Sequence, residues 1–338
     1  MKTRSTPQRI YAFCLLCLSL PAMACQQSGG ETLNLEVGAI EMQVIAHESL
    51  CVNDRDSVWN EWLVAALGSL YSVSTQLPLE RLEVALLPGY VRSRRPPPVS
   101  SGKLKRSNPP MALFYVTPTA ERASLLADWR AYHEFAHLLI PFPGIDDLWF
   151  VEGLASYYQH ILPARAGHIH PNDAWDRILD NLERADGTGG SQLKLAELNR
   201  RVFNRSSTYV NDNKGQQRLY WTGAAMFLRI DTRLRAESNQ RRSLDTALAA
   251  LHRCCSDHFD RDDWSATKLV EKLGELSDPK VWHEEFQATV DTRAQPSWRK
   301  AMQRVGIERG ILRLKISDDP DHREMRLQIA GPRQQPAS

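Results

Sequence analysis

Past residue 20, no apolar run approaches the roughly 20 residues that a spanning helix needs, which argues against a multi-span membrane protein. An excess of charge is also missing: 42 basic residues stand against 40 acidic ones, so global charge gives no reason to expect a nucleic-acid partner. Internal repeats and heptads are absent, and the short small-residue stretch GTGGS at 187–191 reads as a loop. One local lack is more telling. From Val84 to Ala120 the chain holds no aspartate or glutamate, although it holds six basic residues there.

Cysteine is scarce, with six in 338 residues, and two of these lie in the first 24. Lys2, Arg4 and Arg9 precede the apolar run IYAFCLLCLSL, and Pro21 and the small-residue sequence Ala22-Met23-Ala24 follow it. This is the pattern of a secretory signal peptide, residues 1–24, and it predicts export to a bacterial periplasm or the medium. Removing it takes three basic residues and leaves 39 against 40 acidic. Cleavage after Ala24 would put Cys25 first. A lipid anchor at Cys25 is one reading and a soluble secreted chain the other, since Ala22 stands where lipoprotein signals usually carry leucine. Cys25, Cys51, Cys254 and Cys255 remain, an even count that permits disulfides in an exported protein. Cys25 with Cys51 is one pairing; adjacent Cys254 and Cys255 read as a disulfide or two buried thiols.

The composition is that of a globular protein with a sizeable core. Strand-like stretches dominate the lobe from 25 to 118: LNLEV, AIEMQVIA, RLEVALL and MALFYV, with one helix at 57–73. RSRRPPPVSSGKLKRSNPP, with its five prolines, reads as a loop, either plain and solvated or a basic lip beside a cleft. A helical region follows over 119–310, with Thr117 as expected N-cap and Pro118 at the first helical position. GILRLKI and MRLQI predict a short β-like tail at 311–338. Strands first and helices after point to an α+β fold.

Within the helical region, His133-Glu134-Phe135-Ala136-His137 matches H-E-x-x-H. Two histidines four apart on a helix share a face and can hold one metal ion, while Glu134 projects beside them toward a water on that metal. Leu126, Trp129, His133, His137 and Ile140 form one stripe, so the imidazoles sit on an apolar face, where buried polar groups need partners. Core histidines bonded to backbone are the bland alternative. A second helix after Asp146 or Asp147 carries Glu152 close to its apolar face; a metal would offset its charge, as would a salt bridge to Arg130. Two histidines and one glutamate leave an open position, as in catalytic zinc sites, and predict hydrolysis of an amide.

HEFAH followed by WFVEGLASYY resembles the gluzincin metallopeptidases, in their aminopeptidase-N-like and glycyl-aminopeptidase-like branches. The resemblance implies a thermolysin-like zincin fold with the site between two lobes, and one Zn2+ held by His133, His137 and Glu152. It also implies Glu134 as the base and a peptide or protein substrate. RLYWTGAAMFLRID at 218–231 is similar to the later helix of these families, where a tyrosine three residues before a glycine stabilises an oxyanion; Tyr220 and Gly223 match. From the residues alone, Tyr220 is equally a core tyrosine beside Ala224 and Phe227. Aminopeptidases of this kind hold the substrate's amine with an acidic residue in a G-x-M-E-N-type strand, and the acid-free stretch 84–120 departs from that. The departure favours an endopeptidase, with a carboxylate from elsewhere, such as Glu48 or Asp212, as the alternative holder of an amine. MALFYV offers backbone groups for peptide pairing, with Phe114 beside the substrate. Arg94 and Arg95, with Arg92, Lys103, Lys105 and Arg106, favour acidic substrates. A zinc-binding envelope protein with little catalysis, or a hydrolase of a non-peptide bond, are the other readings.

Overall fold

The computed structural model describes residues 31–50, 52, 57–89, 96–187, 193–203, 213–256, 259, 263–291, 293, 297–311 and 314–333. Residues 1–24, Cys25, Cys51, Arg92, Arg94 and Arg95 lie outside them, and with them the expected signal, anchor, Cys25–Cys51 pairing and part of the basic stretch.

Strands β1 (Glu31–Val37) and β2 (Ile40–Ala46) form a hairpin, and helix α1 (Val58–Gly68) leads to β3 (Arg81–Pro88), β4 (Val99–Lys105) and β5 (Met111–Val116). The sheet order is β1-β2-β3-β5-β4, with β2, β3 and β5 parallel and both edge strands antiparallel. Alternation puts Val84, Leu86, Ala112, Phe114 and Val116 on one face, all fully buried. Helix α1 covers that face through Trp62, whose ring meets Phe114 edge-on at 5.1 Å; Phe114 in turn meets Phe135 at 5.9 Å.

Three expectations change here. The proline-rich basic stretch contains β4: its prolines fall outside Val99–Lys105, and an edge position leaves one side of its backbone free. Thr117 and Pro118 form a turn, in which the Thr117 hydroxyl donates to the Pro97 carbonyl (2.9 Å), and the next helix starts only at Arg122. Phe114 belongs to the core, sealed between α1 and the helix of Phe135, so it does not contact substrate.

Helices α2 (Arg122–Leu126), α3 (Arg130–Ala136), α4 (Leu148–Arg165), α5 (Pro171–Gly187), α6 (Leu195–Phe203) and α7 (Asn213–Glu237) follow. Then come α8 (Leu244–Cys255), α9 (Ala266–Leu276), α10 (Pro279–Val290) and α11 (Arg299–Arg304). Strands β6 (Ile307–Arg309) and β7 (Leu314–Ile316) pair, and α12 (Pro320–Ala330) closes the chain. MRLQI, expected as β-like, lies in α12: Met325 and Ile329, four apart, are buried while Leu327 is 49% exposed, a helical period. Asp319 caps that helix by accepting from the Asp321 and His322 amides.

The long helices α4 and α7 cross where both lack a side chain. A Cβ on Gly153 would come within 2.5 Å of the Gly223 Cα, and one on Gly223 within 2.6 Å of the Trp149 carbonyl. Glycine at both positions therefore lets the backbones touch, which brings Glu152 and Tyr220 to the same cleft. Cys254 and Cys255 are joined in a disulfide at the end of α8.

Candidate active site

The chain passes from β5 through α2 into α3, and just before α3 Asp128 accepts from the Arg130 amide (3.0 Å) and side chain (2.7 Å). Arg130 is thereby paired with Asp128 rather than with Glu152. His133 lies in α3, and His137 opens a 3-10 turn that continues it; both are buried. The turn's first carbonyl, on His137, accepts from Arg106 (2.5 Å), so this arginine is used for structure. The Arg106 guanidinium also sits over the Phe142 ring.

Helix α4 presents Glu152 to both imidazoles, 3.3 Å from His133 Nε2 and 3.8 Å from His137 Nε2. One ligand atom from each of the three residues falls within 4.8 Å of the others, a cluster able to hold a metal ion. The donor set fits zinc, which takes imidazole nitrogen and carboxylate oxygen in a tetrahedron with one position open. His133 is oriented by the Gln159 side chain at Nδ1 (2.9 Å), which leaves Nε2 for the cluster. Gln159 is held in turn by His160 (3.0 Å).

Electrostatics follow from burial against neighbouring charge. Burial works to lower the His133 pKa, yet Glu152 and Glu134 outweigh it and raise it. Burial dominates at His137, which is pushed down to about 3. Burial opposes ionisation of Glu152, but the two histidines and the Tyr220 hydroxyl hold it below the ordinary carboxylate range. Glu134 is raised, chiefly by burial. Its Oε2 accepts from the backbone amide of Leu104 on β4 (2.7 Å), which anchors the carboxylate across the cleft.

Tyr220 approaches from α7, its ring stacked 6.2 Å from His133 and its hydroxyl accepting from Gln216 (3.0 Å). Burial, then Glu152, raise its pKa, so the phenol stays protonated and able to donate. A cleft of about 1590 Å³ joins these groups to Ser100–Leu104 of β4 on one side and to α5, α6 and α7 on the other.

His133, Glu134, His137, Glu152 and Tyr220 are thus brought together, and Lys103 reaches the cleft from β4. Phe114 is not among its lining residues. Gln159, the Leu104 amide and the α5 side chains were missed. Gln159 had a signal, because it lies seven residues after Glu152 on the same helical face. The Leu104 amide had none, being a backbone group 30 residues from its partner.

A strand-rich first part followed by a mainly helical second is the fold of an aminopeptidase N family structure, and this chain adds to it the histidine–glutamate cluster. Residues 144–226, which hold Glu152 and Tyr220, match the model of the M61 glycyl aminopeptidase family. Among solved structures, an aminopeptidase N family protein from Idiomarina loihiensis is similar with a TM-score of 0.62 at 13% identity, over 82% of this chain and 49% of its own. A two-domain M1 zinc metallopeptidase variant bound to L-tryptophan has a TM-score of 0.50 at 16% identity, over 80% of this chain and 54% of its own. The chain therefore spans about half the length of these structures. Comparison with curated proteins gives no match.

Proposed function

We propose that the protein is a zinc-dependent peptidase that cleaves internal peptide bonds. The observation carrying this reading is the convergence of His133, His137 and Glu152 within 4.8 Å, with Glu134 beside them in an open cleft. One zinc ion, once bound, supplies Lewis acidity, polarising a carbonyl and bringing water within reach of a neutral-pH base. Glu134, held at one oxygen by the Leu104 amide, takes the proton of the attacking water on the other and returns it to the leaving amine. Burial raises the basicity of Glu134, which suits that task. Tyr220 donates its phenolic hydrogen to the oxygen on which negative charge develops.

Support for the endo mode comes from what faces the cleft. The β4 segment that borders Glu134 carries Lys103 and no acid to hold a substrate ammonium. Asp180 is paired with Arg309, Asp146 lies on the exposed turn before α4, Glu48 does not line the cleft, and Asp212 is outside the described residues. An aminopeptidase is the second reading, favoured by the family match over 144–226 and by the names of the similar structures. Product mapping by mass spectrometry separates them: N-acetylated peptides should be cut internally at rates close to those of their free-amine forms. Release of single N-terminal residues from free-amine peptides only would establish the second reading.

The leading signal-like segment supports export, and among the described residues no helix is long and apolar enough to cross a membrane. A lipid anchor at Cys25 would tether the enzyme without a span.

A further inference from the structure

Resting on the peptidase reading, the geometry points to a carboxylate-binding subsite on the α5 side of the cleft, formed by Arg177 and Arg184 with Asn181 between them. Arg177 and Arg184 are seven residues apart on α5, so they lie on one helical face, and both line the cleft.

The charges of α5 are segregated. Asp176, Asp180 and Glu183 all pair with Arg309 of β6, so Asp180, although it also borders the cleft, already has a cation of its own. Arg177 and Arg184 have no carboxylate partner among the described residues. Their hydrogen bonds go to backbone carbonyls, of Ala127 (3.2 Å) and Asp180 (3.3 Å), and these leave donors on each guanidinium. Arg165, Arg229, Arg233 and Arg235, by contrast, each bind a carboxylate.

Position relative to the metal cluster gives these cations a use. Asn181 approaches His160 (3.4 Å), and His160 joins through Gln159 to His133. Burial first, then the fields of Arg177, His133 and Arg184, push His160 down to about 3. The carboxylates at the centre are engaged, Glu152 by two histidines and Glu134 by the Leu104 amide. A substrate carboxylate near the scissile bond would supply the missing counter-charge. It belongs either to an aspartate or glutamate side chain or to the peptide's own C-terminus, and two guanidinium forks recognise both.

The test uses the zinc-loaded full chain carrying Glu134→Gln and follows the anisotropy of rhodamine-labelled alanine octapeptides. One central residue is Glu, Gln or Lys, and each peptide has a free or amidated C-terminus. The Glu peptide should bind roughly tenfold tighter than the Gln peptide if the side chain is the ligand, with Lys weakest. If the α-carboxylate is the ligand, amidation should cause the tenfold loss instead. Adding Arg184→Glu, an exposed site, should reverse the order of Glu and Lys, or of free and amidated termini. Arg177→Gln should bring the ratio toward one. Equal affinities throughout, or discrimination that survives both substitutions, would overturn the subsite. Discrimination by a wild-type protein that cleaves none of the peptides would instead overturn the peptidase reading, and cleavage without discrimination would do the reverse.

Discussion

Tyr220 meets Glu152 from a helix of its own, and its phenol stays protonated beside that carboxylate. Tyr220→Phe removes the donor and little volume, so kcat should fall about 10²–10³-fold while zinc affinity, measured by chelator competition, stays close to wild type. A kcat within twofold of wild type would make Tyr220 a packing residue. Gln159→Ala leaves His133 unoriented and should weaken zinc binding about 10–100-fold, read by the same competition; unchanged affinity would contradict the orienting role. The pairing of His133 with His137 was legible because H-E-x-x-H is a local pattern with a local geometry. Phe114 was misread because strand alternation separates two faces without saying which one the cleft borders, and here its face is the core.

Two glycines govern how the ligand-bearing elements meet. Gly153→Ala would push a methyl to within 2.5 Å of the Gly223 backbone, so α4 and α7 must part. Overpacking of this kind costs about 1–3 kcal/mol, and a urea melt should show it. The same variant should lose activity beyond what stability explains, because Glu152 and Tyr220 ride on the separated helices; full activity with unchanged stability would contradict this account. Long periodic stretches such as α1 and α4 were readable from their spacing. Strand β4 was hidden among flanking prolines and basic residues, which an edge strand tolerates and a central one does not. MRLQI was ambiguous because a short apolar pattern fits strand and helix alike; the Asp319 cap and Pro320 were the cues for helix.

Across the whole molecule, Asp245 ties distant parts together. Its carboxylate accepts from Tyr158 (2.8 Å) and pairs with Arg165 (2.8 Å) of α4, Arg235 (3.4 Å) of α7 and Arg333 (3.1 Å) beyond α12. No sequence pattern announces this junction, since its members lie up to 88 residues from Asp245. Burial opposes the charge, but the three arginines win and lower the Asp245 pKa to about 2. The unfolded value is about 3.9. Its contribution is therefore complete above about pH 4 and is lost as pH falls through about 2. Asp245→Asn should cost about 3–5 kcal/mol at neutral pH, by leaving buried cations unpaired, and should flatten the fall in stability between those two pH values. Equal denaturation midpoints for the two proteins would contradict the role. The order of strands and helices along the chain gave the α+β class, whereas the crossings that build the cleft depend on contacts far apart in sequence. The most direct measurement of the central claim pairs zinc content with turnover in wild type and Glu134→Gln. The account predicts one zinc per chain in both, with peptide hydrolysis in the wild type and none detectable in the variant. Undiminished turnover by Glu134→Gln, or a wild type that hydrolyses peptides without zinc, would contradict it.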